Sequence, residues 1–129
     1  MEAKELRIGN LVEDELLGKV TIESILKTGQ VEVSAFKLIS EQITKVFYMF
    51  NISELKPIPI TEEILLKCGF KFINGYGYKR HNFQLICINV ADSKEFIFRY
   101  FMLNVELQYL HQLQNLYFVL TGKELEVNL

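Results

Sequence analysis

From Lys19 to Phe50 the apolar positions follow the two-residue period of strands. Val20, Ile22, Ile25 and Leu26 precede a turn at Gly29, then come Val31, Val33, Phe36, Leu38 and Ile39, and a further run covers Ile43 to Phe50. Leu6 to Val12, broken at Gly9-Asn10, reads as an opening strand, with Glu13-Asp14-Glu15 as a solvated acidic turn after it. Short strands joined by tight turns roll into a small barrel or a curled antiparallel sheet. The two prolines of Ile52 to Ile60 make an extended connector that cannot continue a central ladder, so the chain divides there. Thr61 then opens a short helix. It supplies an N-cap, Glu62 and Glu63 complement the positive helix end, Ile60 can staple onto Leu65, and Gly69 gives the left-handed stop; Ile64, Leu65 and Cys68 form its buried side.

Beyond the helix, Phe70, Phe72, Tyr76 and Tyr78 flank Asn74-Gly75, the strongest hairpin signal in the chain. Phe83 to Val90 is apolar on both faces near its centre, the pattern of an interior strand. Ala91 to Lys94 turns the chain, and Glu95 to Met102 returns with Phe96, Phe98 and Tyr100 on one face. The period then lengthens. From Val105 to Thr121 the residues Tyr109, Leu110, Leu113, Leu116, Tyr117 and Leu120 share one arc of a helix stopped by Gly122, after which Leu125, Val127 and Leu129 alternate as an edge strand. The expected fold is α+β: a small N-terminal antiparallel β unit, a short helix, an antiparallel meander, one long amphipathic helix and a C-terminal edge strand. It is expected as a single compact domain over 1–129, with sub-units at 1–55 and 56–129.

Composition changes this picture little. A chain of 129 residues, half of them apolar, is long enough to bury a core without a metal or disulfide staple. The net charge of −2 provides no general attraction for nucleic acid or anionic membrane. The N-terminal residues lack the apolar region of a secretory signal, and no apolar run reaches the length of a membrane span, so an intracellular, cytoplasmic protein is expected. Cys68 and Cys87 stand in unrelated apolar contexts and read as reduced, buried thiols.

Candidate chemistry is sparse. Tyr76, Tyr78, Lys79, Arg80 and His81, with Arg99 from the neighbouring strand, form the most basic and aromatic stretch, and they are the candidate contacts for an anionic ligand. The text around Gly75 to Tyr78 overlaps half of an RNA-stacking motif, without its leading basic residue or its aromatic end. Gly75 and Gly77 lack the third glycine and the following helix of a phosphate loop. His81 and His111 have no partner at zinc-ligand spacing, and no serine or cysteine sits in a nucleophile pattern, so neither catalytic residues nor a cofactor are assigned. The second candidate surface is the outer face of the Val105 to Thr121 helix. It carries His111, Gln112, Asn115 and Phe118, and no charge occurs between Glu106 and Lys123. Such a face suits a second copy of the chain, another protein, or cover by a second sheet of the same chain.

Three stretches, Leu6-Arg-Ile-Gly-Asn-Leu-Val12, Ile52-Ser-Glu-Leu-Lys-Pro-Ile-Pro-Ile-Thr-Glu-Glu-Ile-Leu-Leu-Lys-Cys-Gly-Phe70 and Tyr109-Leu-His-Gln-Leu-Gln-Asn-Leu-Tyr-Phe-Val-Leu-Thr-Gly-Lys-Glu-Leu125, together resemble a family of small uncharacterised proteins of gut anaerobic bacteria, their phages and their integrated elements. The resemblance carries over no functional residue. It implies an intracellular accessory protein of the phage and mobile-element setting, of a kind that works by binding a host protein or a signalling ligand. The function expected from the chain is therefore a non-enzymatic binding module, oligomeric through its long helix. Nucleic-acid binding through the basic hairpin and an enzyme acting on a small substrate are the alternatives.

Overall fold

The computed structural model describes residues 1–75, 77–81, 83–90, 93–100 and 103–128. The protein is α+β and mostly strand: two antiparallel sheets, a short helix and a C-terminal helix. It divides into two compact units, Met1–Ile58 and Pro59–Leu129.

The first unit is a meander of β1 (Leu11–Asp14), β2 (Gly18–Ile25), β3 (Gln30–Ile39) and β4 (Gln42–Asn51), paired in that order with β1 and β4 at the edges. Of the two forms expected for this unit the ladder shows an open sheet, since β1 and β4 do not pair. Val12, Val20, Ile22, Val31 and Val33 fill one side of the sheet and are closed over by Leu6 and Leu55. Residues before Leu11 do not continue the strand as expected. Ala3–Glu5 is a 3-10 turn, and Asn10, fully buried, accepts the Arg7 N–H at 2.7 Å through its side chain. Nor is Asp14 a solvated turn residue: it is buried, and its carboxylate accepts the N–H groups of Leu16 and Leu17 at 3.0 and 2.9 Å, closing the β1–β2 turn.

The second unit begins with α1 (Glu62–Lys67), capped by the Thr61 hydroxyl, which accepts the Ile64 N–H at 3.2 Å, and ended by Gly69 at φ +84°. Its sheet is a five-stranded meander of β5 (Lys71–Ile73), β6 (Gly77–Arg80), β7 (Phe83–Val90), β8 (Ser93–Tyr100) and β9 (Leu103–Leu107). One face collects Tyr78, Phe83, Leu85, Phe96, Phe98 and Leu107, all buried. Against it lies α2 (Leu110–Thr121), whose Tyr117 ring is 5.4 Å from that of Phe83. The backbone N–H of Ile60 donates to the Gln108 carbonyl at 2.9 Å, tying the approach to α1 to the approach to α2.

Three expectations are corrected here. The C-terminal helix starts at Leu110, not Val105, because Leu103 to Leu107 pair with β8 as a fifth strand. The buried arc of α2 is also rotated: Leu110, His111, Leu113, Gln114 and Tyr117 are inside, and Leu120 is half exposed. Past Gly122 no strand forms among the described residues; Leu125 is buried and the Asn128 N–H donates to the Lys67 carbonyl at 3.0 Å, so this segment is held without a ladder.

Candidate interaction surface

The feature of the fold that its own core does not account for is the ribbon of β3 and β4. The strands are joined by Ser40-Glu41, with φ of 49° and 66°, a two-residue turn of the kind whose twist matches the ribbon. Ten residue pairs follow, from Ile39–Gln42 to Gln30–Asn51. Side chains alternate across them. On the inner face, near the base, Val31 and Val33 are buried and Tyr48 and Phe50 pack against the core. Toward the turn this same face becomes largely polar, with Lys37, Gln42 and Thr44 exposed and the Lys37 ammonium 5.1 Å from the Tyr48 ring centre.

The outer face does the reverse. Phe36, Leu38, Ile43, Phe47 and Met49 all lie on it, with relative exposures of 72, 74, 77, 52 and 49%. Leu38 stands directly opposite Ile43. The two form a non-hydrogen-bonded pair, in which side chains approach most closely. That parity follows from the two-residue turn and agrees with the Ile52 N–H donating to Gly29 at the base. This face carries two ionic side chains, Glu32 opposite Met49 near the base and Lys45 opposite Phe36 nearer the turn, and Lys45 is matched within the chain. Lys45 Nζ lies 2.8 Å from Glu23 Oε1, which also accepts the Ser34 hydroxyl at 2.6 Å. Lys45 first, and Ser34 second, hold the Glu23 carboxyl below its ordinary range. Toward the turn the face is thus apolar with its one cation matched, and Glu32 stands at its base.

The residues singled out in the sequence fall elsewhere. Tyr76 lies outside the described residues. Tyr78 is a core residue between Phe72 and Phe96 whose hydroxyl bonds the Glu62 carboxylate; burial, reinforced by Glu62, pushes it up to about 12. Glu62 is itself held low by Lys94, its ion-pair partner, and by Tyr78, so these three groups form a polar clasp between α1 and the sheet. Arg80 donates to the Cys68 carbonyl at the end of α1, with its guanidinium 5.6 Å from the Tyr117 ring. Burial pushes the neighbouring Cys68 thiol up to about 11 despite that cation.

Lys79, Arg80 and His81 do come together, with Lys71 and Glu126, around a cleft of ≈ 400 Å³. Arg80 and His81 also border a larger one of ≈ 870 Å³ floored by Phe83, Phe98 and Tyr117. Arg99 is not with them. It sits on the sheet face away from α2, its Nε donating to Asn104 at 3.1 Å. On that open face the pairings Lys71–Lys79 and Lys79–Gln84 are continued by Arg99–Asn104, since the β7–β8 register carried one residue past Leu85–Phe98 sets Gln84 against Arg99. Three cations therefore share one row across the sheet.

The four helix residues separate as well. His111 is fully buried with its ring stacked 6.0 Å from Tyr109, and Gln112 Oε1 accepts the N–H groups of Gln108 and Tyr109 at 2.9 and 3.0 Å, capping the helix start. Asn115 is half-buried, and Phe118 is exposed beside Val119 and Leu120. Among the described residues there is no cluster of side chains suited to a metal, and no helix is long and apolar enough to cross a membrane.

No family model, curated protein or solved structure matches the chain.

Proposed function

We propose that the protein is a non-enzymatic binding module that engages another polypeptide through the outer face of the β3–β4 ribbon. The observation that supports it is the reversal of polarity along the ribbon. Where the inner face turns polar near Ser40-Glu41, the outer face stays apolar, so the pattern belongs to a strand pair covered from outside its own core. The accessory role implied by the family resemblance is of the same kind.

The test compares the wild-type chain with Phe36→Asp/Leu38→Asp at low concentration, using an apolar fluorescent dye and thermal melting. Dye fluorescence should fall severalfold with the melting temperature unchanged. A large drop in melting temperature would mean that the chain itself buries this face in solution, and unchanged dye binding would place the accessible apolar surface elsewhere. Either result sinks the reading.

A second reading is supported by the cationic row of Lys71, Lys79 and Arg99, which suits an anionic small ligand or a nucleic-acid strand laid across the open sheet face. It requires affinity for a polyanion that falls steeply with salt and weakens in Lys79→Ala/Arg99→Ala. Flat titrations against nucleotides and single-stranded oligonucleotides would dismiss it.

A further inference from the structure

Resting on the ribbon reading above, we infer that its occupant is a second copy of the same chain, packed face to face about a two-fold axis, outer ribbon face on outer ribbon face. Three observations select this occupant.

The first is charge. A face matched to a different partner commonly carries unpaired ions at its centre that specify it. Here Lys45 is neutralised by Glu23 within the chain, the side chains toward the turn are apolar, and Glu32 lies at the base, away from the Leu38–Ile43 pair. Two copies that meet through the half of the face toward the turn oppose no like charges there, and Glu32 stays at the rim.

The second is area. Phe36, Leu38, Ile43, Phe47 and Met49 together expose on the order of 600 Å² at the fractions given above, the upper end of what a monomer's largest apolar patch reaches and not far below the roughly 800 Å² per partner of a standard interface. Flanking residues would make up the difference.

The third is shape. A face that binds its own copy must be self-complementary, and two antiparallel ribbons stacked at the usual sheet spacing, about 10 Å, interdigitate side chains from both inner layers. The Leu38–Ile43 pair makes a ridge near the turn, and Phe36 and Phe47 lie farther toward the base. An axis crossing the face between them sets each ridge against the partner's phenylalanines. Pairing of the β4 edges alone would leave Phe36 and Leu38 bare, so stacking is the arrangement that accounts for all five residues.

Light scattering coupled to size exclusion on the full chain, run from low to high micromolar concentration, reads the assembly. The expected result is a concentration-dependent dimer that Leu38→Asp or Ile43→Asp converts to monomer. A dimer indifferent to both Leu38→Asp and Ile43→Asp would overturn the stacking. A wild-type chain that stays monomeric at the highest concentration would overturn the second copy while leaving the ribbon reading intact if dye binding still depends on Phe36 and Leu38. Loss of that dependence would remove both.

Discussion

The two sheets treat the same kind of strand differently. In the second unit β7 is apolar on both faces near its centre and sits inside the sheet, flanked by β6 and β8, with Leu85 completely buried. In the first unit β4 is also apolar on both faces, Val46, Tyr48 and Phe50 inward and Ile43, Phe47 and Met49 outward, yet it is an edge strand with its outward set in the open. Aromatic and branched residues of this density are what a sheet acquires when both faces are covered. The second unit covers its phenylalanine face with α2. The first closes its inner face with Leu6 and Leu55. Both units leave a second face open, but in the second Ile86 and Ile97 are half-buried beside Lys79 and Arg99, whereas the open face of the β3–β4 ribbon is exposed and apolar toward its turn.

The sharpest way to break that contrast is to truncate one phenylalanine from each sheet and compare urea unfolding at low chain concentration. Phe83→Ala should cost about 3–5 kcal/mol, because it empties a site closed by Phe70, Phe98 and Tyr117. Phe36→Ala should stay within about 0.5 kcal/mol of wild type, as expected for an exposed side chain. Equal losses would mean that the ribbon face is internal after all.

Backbone strain offers a second comparison, confined to the β5–β6 hairpin. A Cβ on Gly77 would stand 2.2 Å from the Leu85 carbonyl oxygen at φ +97°, while one on Gly75, at φ +87°, meets open space. Gly77→Ala should therefore destabilise by roughly 3 kcal/mol or more and Gly75→Ala by only about 1–2 kcal/mol. If both cost the same, the close approach of Gly77 to the Leu85 carbonyl of the neighbouring strand is wrong.

The smallest expected effect is on pH. Cys68 and Tyr78 have values raised to about 11 and about 12, both mainly by burial, and both lie in the second unit. For an acid whose folded value is raised, the contribution is fully present below its unfolded value and is lost as pH climbs to the folded one. Stability of the second unit should thus fall progressively from near pH 9 to near pH 12. Glu23 runs the other way in the first unit. Its lowered value contributes above the ordinary 4.5 and is lost as pH falls through the folded value. Probes in each unit, followed by hydrogen exchange across the pH range, would show whether alkaline loosening begins in the second.

How much of this could be read from the chain depended on range. The Thr61-to-Gly69 helix was legible because cap, charge and stop lie within nine residues, and Asn74-Gly75 announced its hairpin for the same reason. Val105 and Leu107 fit both a two-residue and a 3.6-residue period, so only pairing with β8 settles them as strand. His111 looked outward by helical phase, but the arc is set by what packs on it, and that is tertiary. The ribbon residues were legible as strand. That Phe36, Leu38, Ile43, Phe47 and Met49 end on the uncovered side was not, since alternation assigns residues to two faces without saying which is wet.

In both ladders each strand pairs only with its neighbours in the chain. That order sets a pace as well as a shape. Closing a hairpin between consecutive strands searches a short loop, so either sheet can zip forward from whichever turn forms first, without waiting for a distant segment to arrive. The joins that span long stretches of sequence, Ile60 to Gln108 and Lys67 to Asn128, close longer loops and are expected to form after the strands they fasten. The helices of the second unit therefore act as a late latch: a substitution such as Leu110→Ala should quicken unfolding in stopped-flow measurements and leave refolding nearly as fast as before.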